Sequence, residues 1–521
     1  MERSQVYTLP DCTAVLCEHP AVREAIACRS SCDDQNVVAF VLAHQSYIDD
    51  VLGGRQTESN QIRKWRKIYD LAQLSKAAET SPVGFNIAGW KSSYTREPIS
   101  AEDMREWVRT TVDRISVLEP MEVLEIGCGT GLLLLRIASR CRRYVALDFA
   151  SSVLMRLKDQ LTRTVGLRDK VEVLELPADN SELVADNLFD TVIINSVVQY
   201  FPSASYLDRV IKQSIRAIKP GGHLFVGDLR SLPLLETHAC SIEAFQATPE
   251  VCAGELRNRI RRRILQEQEL VLSPSYFLSL GQRFSKVSRV EIYPRRGNRD
   301  NEMTRFRYDA ILWLGAESAQ ASEIPFRDLP ADGWRLDEIR SLLSIEQPDA
   351  VGIAYIRNSR LDADVGLQAR LATAYPLQTL GELRRDNNRR EAHGIHPEAI
   401  SRLAAEMGYN VVISWASAYS DGSYDAAFIR KCSPGDSAFP SIKWPRPASA
   451  CFVEWANTPG QAEIREKLVD QLLSHCRYRL RGDLVPTSLR IVDSFPRQTD
   501  GSVDSSALLS SKHPGTPSFN P

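Results

Sequence analysis

The stretch VLEIGCGTG, Val123 to Gly131, decides how the chain is read. An apolar run with one acid, Glu125, leads into three glycines at alternate positions, Gly127, Gly129 and Gly131, and an apolar helical pattern follows from Leu132 to Ala138. This is a buried parallel strand, a tight turn and the start of a helix. Glycines suit the turn because the backbone bends sharply and a ligand lies against it with no Cβ in the way. A dinucleotide turn spaces its glycines as G-x-G-x-x-G. Here the third glycine comes one residue early, so a nucleoside-type cofactor is expected and a dinucleotide is the rival reading.

With 521 residues the chain is too long for one core, and two to four domains are expected. A net charge of −2 provides no basic field for nucleic acid or an anionic membrane. The eleven cysteines contain no C-x-x-C pair, which argues for a reducing compartment and against a zinc site or disulfide frame. The opening MERSQVYTLP lacks the basic, apolar and small-residue order of a signal peptide, and runs such as Val37 to Ala43 are too short to span a membrane. A cytoplasmic protein is expected.

From Met121 to about Gly315 strands and helices alternate. Strands fit at 122–126, 143–148, 171–175, 189–194 and 222–228, and helices at 131–139, 150–163 and 204–218. The pattern predicts an α/β, Rossmann-like, mostly parallel sheet with right-handed crossovers. An Arg- and Glu-rich helix is expected at 249–269. Its Arg257, Arg259 and Arg261 to Arg263 read as a solvated face or as a surface for an acidic partner. Val287 to Tyr293 and Thr304 to Leu314 read as two closing strands. Ser100 is an expected N-cap for a helix to Ser116, with Glu102 and Asp103 in its first turn.

Asp148 ends the second strand and follows Gly131 at roughly the interval, about 20 residues, at which dinucleotide folds place a ribose-binding acid. A surface acid capping the next helix is the alternative. The fourth strand runs into NSVVQYFP, Asn195 to Pro202, at the end of the sheet where open α/β folds bind ligands. There Asn195 and Gln199 offer hydrogen bonds, Tyr200 and Phe201 offer aromatic walls, and the valines read as core.

The glycine stretch resembles motif I of class I methyltransferases, which bind S-adenosylmethionine. That resemblance implies cofactor contacts from Glu125, Gly127, Gly129 and Gly131, ribose binding by Asp148, and adenine contact by Asp179 in Pro177-Ala178-Asp179. Four further phrases, FNIAGWKSSYTREPI from Phe85, NSVVQYFP, FVGDLRSLPLL from Phe225 and NEMTRFRYD from Asn301, resemble the N-methyltransferase domain embedded in nonribosomal peptide synthetase adenylation domains. AVGIAYIRNSRL and EMGYNVVISWASAYSDGSYDAAFIR resemble that family's accessory stretch. HPAVREAI near the start and RLRGDLVPTSLRIVDSFPRQTDGSVDSSAL near the end resemble the two halves of the adenylation C-terminal subdomain, into which such methyltransferases are inserted.

The resemblance implies a first half of that subdomain at 1–55, a methyltransferase at 85–315, an accessory α/β unit at 316–432, a second half at 440–510 and a disordered tail at 511–521. Residues 52–84 read as linker and helix, from Gln61 to Leu74. The large adenylation subdomain is missing, and the Asn-Gly-Lys of the closing loop is replaced by Asp500-Gly501-Ser502, so adenylation is expected to be absent. An initial Met favours a free-standing enzyme over an excised piece.

The implied acceptor is the α-amine of an aminoacyl or peptidyl group on a carrier protein's phosphopantetheine, with other synthetase modules as partners. Such a nitrogen must be unprotonated to attack. Asp228, Arg230, Gln199, Glu302 and Arg307 are the candidates to face the acceptor, with Tyr308 also within reach. Glu302 and Arg307 also read as a structural ion pair. His238 is a possible base or a structural histidine. Trp90 and Tyr94 read as a lid over the donor, or as packing for the first helix. Two other readings stand beside this one: methylation of O, N or C on a free small molecule, and a non-catalytic docking scaffold.

Overall fold

A computed structural model describes residues 6–30, 33–47, 55–73, 82, 84–180, 186–315, 323–330, 333–388, 394–431, 442–445, 455–498 and 500–510. The expected tail from 511 and part of the expected linker at 52–84 lie outside them. The chain divides into two compact units, Met1–Gln61 with Arg261–Gln268 and Thr458–Pro521, and Ile62–Ile260 with Glu269–Asn457.

The first unit joins both ends of the sequence in one sheet. Strand β2 (Val22–Ser30) pairs antiparallel with both β1 (Val6–Thr8) and β3 (Asp33–Ala43). The strand Ser488–Ile491 pairs parallel with β3, Ser488 opposite Val38 and Ile491 opposite Val41. The helix Gln461–Arg479 buries Ile464, Leu468, Leu472 and Cys476, one residue per turn. That stripe packs with Cys12, Leu16, Ala27 and Val41 into one core. Each fully buried Leu or Ile contributes about 1.5–3 kcal/mol, so this core depends on residues from both ends. In the loop where the Lys was missed, Asp500 accepts hydrogen bonds from the Ser502 amide at 2.9 Å and its hydroxyl at 2.6 Å.

The second unit is built on a seven-stranded sheet. Its strands are β4 (Glu122–Ile126), β5 (Arg143–Asp148), β6 (Val171–Glu175), β7 (Phe189–Asn195), β8 (Ile218–Arg230), β9 (Val287–Pro294) and β10 (Arg307–Leu314). Their order is β6-β5-β4-β7-β8-β10-β9. The first five strands are parallel, and β10 closes antiparallel on β8 and β9. Strands covered on both faces need apolar residues on both. Val123, Tyr144 and Ala146 accordingly enter one core, and Leu124, Val145 and Leu147 the other. The strand order reverses beside β4, between β5 and β7, which opens a crevice at the C-terminal strand ends.

Several boundaries differ from the sequence reading for local reasons. The helix after the glycines starts at Leu134 and ends in a 3-10 turn at Arg140, because Cys128 to Gly131 are held in a turn by the Gly131 amide on the Cys128 carbonyl. The last strand begins at Arg307, not Thr304. Asn301 caps a short helical turn, Glu302–Arg305, by accepting from the Met303 and Thr304 amides. β8 is longer than expected and carries Asp228 and Arg230 within the strand. The Arg-rich helix is shorter, Ala253–Leu265.

Beyond β10, β11 (Phe326–Arg327), β12 (Ala350–Ile356), β13 (Tyr409–Ser414) and β14 (Tyr424–Arg430) form a second sheet in the order β11-β12-β14-β13. Its Ile353, Tyr424 and Phe428 share a core with Ile292 and Leu312 of the larger sheet. The helices Asp362–Thr373 and Leu380–Asn388 in this region were not expected. No described helix is long and apolar enough to cross a membrane.

Candidate functional site

A cavity of about 320 Å³ lies at the C-terminal ends of β4, β5, β7 and β8. Its base is the glycine turn. Gly127 has φ +77°, and a Cβ there would stand 2.2 Å from Val197 Cγ2. Gly129 has φ +51°, and a Cβ would meet the Tyr69 hydroxyl at 2.7 Å. Both positions therefore require glycine on space and on backbone conformation. Gly131 is not among the lining residues; it packs toward Leu157.

Asp148 stands at the end of β5, with its side chain 5% exposed. It accepts from the Gly129 amide at 2.9 Å and the Ala150 amide at 3.0 Å. Burial raises its pKa against those amides. The Phe149 amide also donates to the carboxylate, whose remaining lone pair suits a ligand hydroxyl. Glu125 is more enclosed. Tyr144 donates its hydroxyl to it at 2.8 Å, and burial pushes its pKa from 4.5 to about 7.

Asn195 ends β7 and is 7% exposed. Its carboxamide oxygen is buried with no partner among the described residues, and it would collide with a Cβ on Gly227. Such an acceptor costs about 1–3 kcal/mol unless something donates to it. After it, Ser196 adopts φ +55°, and Asp228 beside it on β8 adopts φ +60°. Left-handed backbone at two non-glycine residues concentrates strain at these strand ends.

Two aromatic residues that the sequence reading did not single out also line the cavity. Trp65 and Tyr69 come from the helix Arg55–Gln73, and the Trp65 ring lies 4.8 Å from that of Tyr200. Arg66 to Glu175 at 2.9 Å and Ser152 to Asp70 at 2.5 Å hold this segment over the strand ends. Nothing in the composition of the helix marks it as part of a site. Its one signal is a pair of aromatics four residues apart, on one helical face. Trp90 lines the cavity and packs edge-on against Trp107, 4.8 Å between centroids.

The opposite end is charged. Arg230, bonded to Glu269 at 2.7 Å, and Arg307, bonded to Asp228 at 2.6 Å, both reach the cavity, with His238 and Gln199. Asp228 is fully buried and does not line the cavity. Its amide donates to Asp309, which also takes Arg295 at 3.0 Å and Arg114 at 2.7 Å. Burial pushes the Asp309 carboxyl up, but Arg295 and Arg114 hold it below its ordinary range. Burial opposes the charge on Arg307, yet Asp228, Glu269 and Glu302 carry its pKa above the ordinary value. The cavity thus ends in two fixed guanidinium groups.

Four more sequence candidates stand apart from it. Asp179 accepts from the Tyr206 hydroxyl at 2.9 Å and does not line the cavity. Tyr94 and Glu302 line a neighbouring cavity instead. Tyr94 bonds Ser241 at 2.9 Å, and Glu302, 7% exposed, accepts from the Ser93 amide at 3.0 Å and stands 4.0 Å from His238 Nε2. The His238 ring stacks on Phe306 at 4.4 Å. Tyr308 is buried in β10 and bonds the Leu272 carbonyl.

Residues 124–224 match a family model described as a methyltransferase domain. Over 96% of its length the chain is 35% identical to part of chondramide synthase cmdD of Chondromyces crocatus, of which it spans 12%. It is 28% identical over 94% of its length to part of nonribosomal peptide synthetase agiA of Aspergillus flavus, of which it spans 6%. Among solved structures, the N-methyltransferase NodS of Bradyrhizobium japonicum with S-adenosyl-L-homocysteine aligns at 15% identity and a TM-score of 0.30, covering 48% of this chain and 97% of that one. A likeness that low carries no argument.

Proposed function

We propose that this chain, a class I methyltransferase domain within a segment shared with nonribosomal peptide synthetases, methylates the α-amine of an aminoacyl or peptidyl thioester on a carrier protein. Its methyl donor is S-adenosylmethionine. The cavity fits that group: Gly127 and Gly129 bring bare backbone to its lining, the Asp148 carboxylate stands beside them, and the buried Asn195 oxygen has no donor among the described residues. Trp65 and Tyr200 offer aromatic faces to a cation. When bound, the donor supplies a methyl group on a positively charged sulfur, already a good leaving group.

The chain's own residues then have three tasks: aligning the acceptor, excluding water and keeping the amine neutral. Arg230 and Arg307 favour a neutral amine over an ammonium at their end of the cavity. They also present donors to a thioester carbonyl. His238, backed by Glu302, is placed to accept the amine's proton. With the donor bound, the nitrogen lone pair would form the new N–C bond as the C–S electrons leave on sulfur, and the amine's proton would pass to His238.

The observation that carries the carrier-bound reading is the parallel pairing of β3 with Ser488–Ile491. One small domain is assembled from the two ends of the sequence, with the methyltransferase residues lying between them in the chain. This supports insertion into an adenylation C-terminal subdomain. Ser502, where that family carries a lysine, supports the loss of adenylation, since a hydroxyl supplies no positive charge to a reacting carboxylate or phosphate.

Mass spectrometry after incubation with S-adenosylmethionine and either an aminoacyl-carrier protein or the free amino acid tests the reading. A mass gain of one methyl on the carrier-bound acyl group is expected, with no ATP–pyrophosphate exchange. Methylation of the free amino acid alone would reject the carrier-bound acceptor.

A further inference from the structure

A second cavity, about 620 Å³, adjoins the acceptor end of the first, and no step described so far uses it. The two share Ile99. Between them stands the Glu302 carboxylate, which lines the second cavity. It accepts from the amide of Ser93 and faces His238 at 4.0 Å, and both of those residues line the first.

We propose that this second cavity receives the side chain of the aminoacyl group and favours a large apolar one. The inference rests on the carrier-bound amine reading. An α-amine brought to His238 and Glu302 places the side chain, two bonds away, at the Glu302 wall. The chamber beyond is faced by Ile99, Met303, Leu367 and Phe245. Met303 is 2% and Leu367 7% exposed, whereas Phe245 is 57% exposed and stands at the solvent side. Charged groups line it as well, among them Asp103, Arg305, Asp364 and Arg384. Arg305 bonds Asp364 at 2.8 Å and the Tyr94 hydroxyl at 2.9 Å, and Arg384 donates to the Ala244 carbonyl at 2.6 Å. An apolar side chain gains about 25 cal/mol per Å² removed from water.

The test uses glycyl and phenylalanyl pantetheine thioesters with the whole chain, and reads two quantities. The first is binding to the protein loaded with S-adenosylhomocysteine, by calorimetry. The second is methyl transfer with S-adenosylmethionine, by mass spectrometry. The unsubstituted protein is expected to favour the phenylalanyl thioester about tenfold or more. Leu367→Trp, which fills the chamber, is expected to reverse that preference while leaving glycyl transfer and S-adenosylhomocysteine affinity within about twofold. Phe245→Ala removes an exposed wall and so does not threaten folding. It is expected to reduce the preference from the other direction. Equal loss for both thioesters in Leu367→Trp would overturn the proposal, because the chamber would then serve the arm that all acceptors share. Transfer without side-chain discrimination overturns the chamber and leaves the reaction standing. Side-chain-selective binding without transfer overturns the reaction and leaves the chamber standing. Failure of either thioester to bind overturns both.

Discussion

The Gly129 amide donates to the Asp148 carboxylate at 2.9 Å, tying the glycine turn after β4 to the acid at the end of β5. One peptide unit therefore holds the cofactor-facing backbone and orients the acid expected to take ligand hydroxyls. Asp148→Ala removes a charged acceptor worth about 1.5–3 kcal/mol. Affinity for S-adenosylhomocysteine is expected to fall about 10- to 100-fold by calorimetry. An unchanged dissociation constant would mean that Asp148 only braces the turn.

Gly127→Ala combines a positive φ with a 2.2 Å approach to Val197 Cγ2. The expected loss of stability is about 2–4 kcal/mol. Val197→Ala in the same chain makes room for the new Cβ but leaves the φ penalty, so urea denaturation should recover part of the loss. No recovery would show that Val197 is not the obstacle.

Trp65→Ala separates a cation effect from simple shape. A ring 4.8 Å from Tyr200 in the donor cavity should attract a sulfonium by about 0.5–2 kcal/mol. S-adenosylmethionine affinity is expected to drop about 3- to 30-fold, and that of the uncharged S-adenosylhomocysteine by less. Equal losses for the two would make Trp65 a steric wall only.

Asp228 is fully buried between Arg307, at 2.6 Å, and Arg295, at 3.9 Å. Asp228→Ala leaves Asp309 to balance Arg114 and Arg295, and leaves Arg307 to Glu269 and Glu302. Breaking one side of a buried ion pair costs about 3–5 kcal/mol. Methyl transfer should fall with it, since Arg307 loses its anchor. A stability loss below about 1 kcal/mol would show that the network is not under this constraint.

Glu125 makes stability depend on pH. In the unfolded chain its carboxyl ionises near 4.5, whereas burial in the fold delays ionisation until about 7. A group with a raised folded pKa contributes fully below the unfolded value, and that contribution is lost as pH rises through the folded one. Above pH 7 the cost is of order 3 kcal/mol. Glu125→Gln keeps an acceptor for the Tyr144 hydroxyl and removes the titration. It should melt at the wild-type temperature near pH 4 and higher than wild type at pH 8. Parallel melting curves across that range would place the raised pKa elsewhere.

Much of the site was legible before the fold. The parallel strands announce themselves as short apolar runs, and the glycine turn, Asp148 and Asn195 each sit at a strand end whose place follows from strand order alone. The capped helix from Ser100 was legible for the same reason, since its cap and first-turn acids are local. Other boundaries slipped where one side chain overrode periodicity, as Asn301 does before β10. Asp179 shows a different failure. Its position after the third strand suggested a ligand contact, but Tyr206 takes its carboxylate from another helix.

By itself the sequence determined the strand–turn–helix unit and the alternation that builds the sheet, and its phrases carried the resemblance from which the donor and the joining of the two chain ends were expected. These are carried by short-range periodicity, by spacing and by phrases that stay intact along the chain. Only the tertiary structure decided that Trp65 and Tyr69 wall the first cavity, that Asp228 anchors Arg307 without lining it, and that Glu302 stands between two cavities beside His238. Each of those is a contact between segments far apart in the chain, set by how helices and strands pack. A side chain's neighbours across such a gap leave no trace in local pattern.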